Sequence, residues 1–252
     1  MFFTSLAYHA QEIYDVETVP TLRTKAYSSE AYKNIVIFSA PRTGSMLIYN
    51  IFKFLFEKDS QLLARHDNFN LNRVVLRTHR FAEFNLIDKE STLCIFTFRN
   101  PIDACISTFR ICTRNPINPQ ELAYEFINRT CCYFSYIKSK EHEGLQVLKL
   151  KYEDSAGNLD LIFDKIEDHF HISIDPKDKE LMRLCYSIEN IEACIKGLKD
   201  FDEFLPISGF HGKHVTLQRY TPPADFLYWL NIYLQEFIPL IQPYGYFLDT
   251  SI

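Results

Sequence analysis

The stretch Ile35-Val-Ile-Phe-Ser-Ala-Pro-Arg-Thr-Gly-Ser-Met-Leu-Ile48 decides the architecture of this chain. Ile35 to Phe38 is a short apolar run of the kind that forms a strand covered on both faces. Ser39-Ala40-Pro41 interrupts it, Arg42-Thr43-Gly44-Ser45 turns, and an apolar-periodic segment from Met46 to Phe56 reads as a helix. A strand, a tight turn and a helix N-terminus together make an anion site. The first N–H groups of the helix have no carbonyl partner behind them, and the helix dipole favours negative charge there. Arg42 adds a cation, and Thr43 and Ser45 add hydroxyl donors. The expected guest is a phosphate or sulfate ester. The turn is not a Walker A loop, because no Gly-x-x-x-x-Gly-Lys-Ser/Thr run occurs.

Other segments build on this one. Leu93-Cys-Ile-Phe-Thr-Phe98 reads as a second buried strand and ends in Arg99-Asn100-Pro101-Ile102-Asp103. Asn100 is placed to cap a helix, with Pro101 at its first position. Arg99 then stands at the carboxyl end of a strand and Ser107 lies on the helix that follows. Arg73-Val-Val-Leu-Arg-Thr-His79 reads as a strand ending in Arg77-Thr78-His79, and Val147 to Lys151 as one ending in Tyr152-Glu153-Asp154. Chemistry-bearing residues thus gather at carboxyl ends of strands, where open α/β sheets bind their ligands.

These segments resemble the signatures of the sulfotransferase family. Pro41, Arg42, Thr43, Gly44 and Ser45 match its 5′-phosphosulfate loop, roughly Pro-Lys/Arg-Ser/Thr-Gly-Ser/Thr-Ser/Thr, while Met46 departs from it. Arg99, Asn100, Pro101, Asp103 and Ser107 match its 3′-phosphate signature, Arg-Asn/Asp-Pro-x-Asp-x-x-x-Ser. Arg77-Thr78-His79 is similar to the family's Lys-Thr-His, whose His is the catalytic base, and Tyr152-Glu153-Asp154 to its Tyr-Glu-Asp, which would put Tyr152 near the adenine. Ser208 to Val215 falls where the family has a loop over the 3′-phosphate, with Gly212 and Lys213 as contacts. Cys185 to Asn190 is a looser echo of an adenine-contacting helix start.

The resemblance implies a donor, 3′-phosphoadenosine 5′-phosphosulfate (PAPS), and in-line sulfuryl transfer without a metal. N–H groups from Thr43 to Leu47 would hold the 5′-phosphosulfate, with Thr43 and Ser45 orienting it and Arg42 neutralising charge on the leaving oxygen. His79 would deprotonate a hydroxyl or amine acceptor, and Arg99 and Ser107 would fix the 3′-phosphate. The acceptor is a small molecule or a glycan, with a peptide left open. Met46 leaves out a hydroxyl the family uses, which motivates a non-catalytic nucleotide-binding protein as one alternative. A P-loop kinase is another, opposed by the absent Gly-Lys-Ser/Thr and by the lack of an apolar strand ending in a metal-binding Asp.

Composition agrees with a soluble globular protein. The chain has 252 residues, of which 47% are hydrophobic and 23% charged, with 22 Phe and 15 Tyr. Its net charge of −5 and the lack of a Lys/Arg-rich run exclude the electrostatic footprint of a nucleic-acid binder. Its 7 Cys fit no metal spacing and read as reduced thiols. With no apolar run long enough to span a membrane and no basic leader, a cytoplasmic location is expected.

The expected fold is a single α/β domain over residues 1–252 with a mainly parallel sheet flanked by helices, the P-loop NTPase-like arrangement of sulfotransferases. The donor-binding core would span about 34–215 and a helical C-terminal part about 155–252. Strands are expected at 35–38, 73–77, 93–98 and 146–150. Helices are expected at 44–57, 101–112, 119–140, 158–170, 177–196 and 223–241. Residues 1–33 have no firm place, and packing over the acceptor side is one option for them.

Overall fold

β1 (Asn34–Phe38), β2 (Val75–Thr78), β3 (Thr92–Phe98) and β4 (Gln146–Lys151) form one sheet in the order β2-β1-β3-β4. Every pairing is parallel, with Ile35 opposite Val75 and Leu93, and Leu93 opposite Gln146. This computed structural model describes residues 13–65, 69–112, 118–155, 157–199, 203–212 and 220–247. Its helices are α1 (Ser45–Phe56), α2 (Asp59–Leu62), α3 (Phe81–Phe84), α4 (Pro101–Cys112), α5 (Pro119–His142), α6 (Tyr152–Ser155), α7 (Asp160–Phe170), α8 (Pro176–Cys185), α9 (Ile188–Ile195) and α10 (Ala224–Ile241). No described helix is long and apolar enough to cross a membrane.

The two central strands are buried along their whole length, which explains their unbroken apolar runs. Alternation of side chains across the pleat divides them between two cores. Ile35, Ile37, Leu93 and Ile95 face α1, α7, α8 and α9. Val36, Phe38, Cys94, Phe96 and Phe98 face α4, α5 and α10. On that second face the Phe38 ring lies 4.2 Å from Phe84 and 5.2 Å from Tyr133, centroid to centroid, which anchors α3 and α5 beside the end of β2.

The chain leaves β1 toward β2 on one side and returns to β3 on the other. The crevice between the carboxyl ends of β1 and β3 is therefore the switch point of the sheet, the usual ligand position in open α/β folds.

The expected helix at 177–196 is interrupted. Tyr186 ends α8, Ser187 turns to extended backbone (φ −62°, ψ 151°), and its hydroxyl accepts the Asn190 N–H to start α9. The segment from residue 13 to 33 packs against α1, α8 and α9. Arg23 donates to the carbonyls of Phe54 (2.7 Å) and Glu57 (2.8 Å), capping the C-terminus of α1. Thr24 donates from its N–H and its hydroxyl to the Asp178 carboxylate, each at 2.7 Å.

Candidate functional site

The turn after β1 is built around backbone that few residues tolerate. Arg42 sits at φ 68° and Gly44 at φ 82°, both left-handed. A Cβ on Gly44 would stand 2.7 Å from the Tyr152 ring, so glycine is required here for conformation and for close approach. Ser45 starts α1, and the N–H groups of that first turn point out of the helix without intrahelical carbonyls.

Arg42 donates from Nε to the Ser107 hydroxyl at 3.0 Å. Through this bond the Arg42 side chain reaches across to α4. The loop and the Ser of the second signature are in direct contact through this bond. Thr43 is tied down within the protein. Its hydroxyl is buried, donates to the Ala40 carbonyl at 2.8 Å and meets the Thr97 hydroxyl at 3.0 Å. It ties the turn to β3. The Met46 side chain belongs to the α1 core, so the missing hydroxyl is replaced by packing.

Arg99 stands at the end of β3 with its guanidinium 4.5 Å from the centre of the Tyr152 ring. Its Nη1 donates to the Arg42 carbonyl at 3.5 Å, and its Nε is buried without a partner. A buried donor left unpaired costs free energy, and a ligand anion would relieve it. Asn100 caps α4 by accepting the Ile102 N–H at 2.9 Å. The Asn100 N–H is held by Glu153 at 2.7 Å, and the other oxygen of Glu153 accepts from the Tyr246 hydroxyl at 2.8 Å. Glu153, the middle residue of Tyr-Glu-Asp, thus braces the β3 loop.

At the end of β2 both ring nitrogens of His79 are engaged. Nδ1 lies 2.7 Å from the Ser39 carbonyl, which makes it the protonated nitrogen. Nε2 lies 2.8 Å from Arg77 Nη1 and so accepts. Burial, reinforced by the positive Arg77, lowers the imidazole pKa from 6.5 to about 4. The ring is neutral at physiological pH. The Tyr133 hydroxyl donates to the His79 carbonyl at 2.6 Å, fixing the backbone beneath it.

These residues open on one cavity of about 1280 Å³, above the ~300–1,000 Å³ of a single drug-sized site. Arg42, Gly44, Ser45, Met46, Leu47, Arg99, Ser107, Tyr152 and His79 line it, as does Arg77. Thr43 does not, and Gly212 lies one residue beyond the lining His211. Lys213 is outside the described residues. Further walls come from Tyr186, Ser187 and Ile188 at the start of α9, and from Phe204, Phe210 and Tyr220. The Ser187 side was legible only as the loose match at Cys185 to Asn190. The aromatic walls carried no spacing that could have revealed them.

No protein-family model and no curated protein matches the chain. Among solved structures it is similar to mouse sulfotransferase SULT7A1 in complex with PAP, with a TM-score of 0.53 and 13% identity, over 91% of this chain and 88% of that one. The fold is a sulfotransferase fold.

Proposed function

We propose that this protein is a sulfotransferase that uses PAPS as donor and a hydroxyl-bearing small molecule or glycan as acceptor. The observation that carries the reading is the convergence of the two switch-point loops. Arg42 of the first meets Ser107 beyond the second, and Tyr152 closes on Gly44 and Arg99 together. The SULT7A1 neighbour, solved with PAP, supports a bisphosphorylated nucleotide as the guest.

The donor supplies the sulfuryl group; the chain supplies binding, orientation and a base. The free N–H groups of the first turn of α1, with the Ser45 hydroxyl, hold the 5′-phosphosulfate end. Arg99, Arg42 and Ser107 hold the 3′-phosphate, where the orphaned Arg99 Nε gains an acceptor. Tyr152 offers its ring to the purine. His79, neutral and fixed through Nδ1, takes the acceptor proton at Nε2 after Arg77 has moved off that nitrogen. A second reading, a binder without turnover, is favoured by the same engaged Nε2.

The test is thermal stabilisation by adenosine 3′,5′-bisphosphate against ATP, each with and without magnesium, followed by transfer from PAPS to a panel of phenols, alcohols and amines. At 100 times its Kd a ligand adds about 2.7 kcal/mol, a rise in Tm of about 5–10 °C for a chain of this size. A rise with the bisphosphate alone is expected. A rise only with magnesium-ATP would overturn the reading in favour of a kinase.

A further inference from the structure

The tight turn at Leu205–Phe210 is held by side chains that the transfer reaction does not use. Within the turn, Leu205 N–H donates to the Phe210 carbonyl at 2.8 Å and Gly209 N–H to the Leu205 carbonyl at 2.7 Å. Its tip, Ile207-Ser208, is gripped from outside. The two oxygens of Glu17 accept the N–H groups of Ile207 (2.7 Å) and Ser208 (2.8 Å). Asn50 Nδ2 donates to the Ser208 carbonyl, and Lys53 Nζ to the Ile207 carbonyl at 3.1 Å. Both peptide groups at the tip are therefore satisfied by three side chains, from the N-terminal segment and from α1.

Asn50 and Lys53 are almost wholly buried, at 4% and 1% exposure, on a helix whose other core residues are mostly apolar. Such groups are costly inside a protein unless fully bonded, and here both are bonded to this turn, with Lys53 Nζ also donating to the Ala64 carbonyl at 2.9 Å. Asn50 Nδ2 also donates to the Met46 carbonyl at 2.9 Å, in the first turn of α1. One amide thus joins the anion-binding end of α1 to the turn, and the turn places Gly209, Phe210 and His211 in the cavity wall.

We infer that Glu17, Asn50 and Lys53 act as a clamp that positions the Leu205–Phe210 turn against the first turn of α1 and so shapes the nucleotide end of the cavity. They are positioning residues, and their role at that end rests on the donor site proposed above. The clamp reaches the site from the N-terminal segment, well before the motifs that line it.

The test combines amide hydrogen exchange with calorimetric binding of adenosine 3′,5′-bisphosphate, in the wild type and in Glu17→Gln, Asn50→Leu and Glu17→Asp. In Glu17→Gln and Asn50→Leu the exchange of Ile207 and Ser208 accelerates at least tenfold, and the Kd for the bisphosphate rises at least fivefold. Amides of α5 keep their protection, which shows that the fold is intact. Glu17→Asp, which keeps the carboxylate, recovers part of both effects. Unchanged exchange at Ile207 and Ser208, or faster exchange with unchanged Kd, overturns the clamp alone. A wild-type protein that does not bind the bisphosphate overturns the donor reading instead.

Discussion

The Arg77 guanidinium covers the basic nitrogen of His79, with Nη1 2.8 Å from Nε2. Burial, with this positive neighbour, keeps the imidazole neutral, and the bond occupies the atom that a general base needs. Arg77→Gln should therefore act on titration before it acts on anything else. Loss of the positive neighbour moves the His79 pKa up from about 4, toward its ordinary 6.5, although burial still holds it below that value. An NMR titration of the His79 ring in the wild type and in Arg77→Gln reads this without any turnover. Equal titration curves would remove Arg77 as a cause.

The same depressed pKa makes stability depend on pH. The folded value lies below the unfolded one, so the unfolded chain takes up the proton first. The stability due to the neutral ring is complete above about 6.5 and is lost as pH falls toward about 4. A shift of this size corresponds to at most about 3 kcal/mol. Urea unfolding of wild type and His79→Gln at pH 7 and pH 4.5 checks it. The wild type should lose more stability on acidification than the variant.

Arg99→Ala should weaken binding of adenosine 3′,5′-bisphosphate by about 1.5–3 kcal/mol, roughly 10- to 100-fold, and leave 5′-AMP much less affected. Calorimetry with both ligands is sufficient. Equal losses would place the 3′-phosphate away from Arg99.

Gly44→Ala should cost about 1–3 kcal/mol of stability through its left-handed backbone, and more through the Tyr152 ring. Combining it with Tyr152→Ala removes the collision and leaves the backbone term. A double-mutant cycle measured by urea unfolding should then show a coupling between the two sites.

Thr43→Val separates structure from binding. Its buried hydroxyl bonds Ala40 and Thr97, so unfolding free energy should fall by about 1–3 kcal/mol while affinity for the bisphosphate stays within about threefold. A large loss of affinity with little loss of stability would return the hydroxyl to the ligand.

Local pattern made the β1 turn and the Arg99 to Ser107 register legible. An apolar run that ends in a turn and opens a helix needs no distant partner to be recognised. What escaped the sequence depends on pairs far apart in it. Whether Thr43 faces in or out is decided by Thr97, 54 positions away. Arg42 finds Ser107 across 65 positions by way of a left-handed backbone that no propensity assigns to arginine. The division of the expected 177–196 helix turned on one serine that caps instead of continuing, a choice in which side-chain and helical hydrogen bonds compete closely. Asn50 and Lys53 did leave a trace, as polar residues in an apolar helix, but their partners could only be seen once the chain was folded.

The bond from Tyr246 to Glu153, beyond the last long helix, bears on how this protein can be dissected. The segment from 34 to 215 contains every described strand and every recognised motif, yet it omits Tyr246 at one end and Glu17 at the other. Cutting the chain to that segment would release the brace on the β3 loop and the carboxylate grip on the Ile207-Ser208 tip at once. The motifs do not amount to a self-sufficient fold unit. A fragment that keeps both contacts runs from before Glu17 to beyond Tyr246.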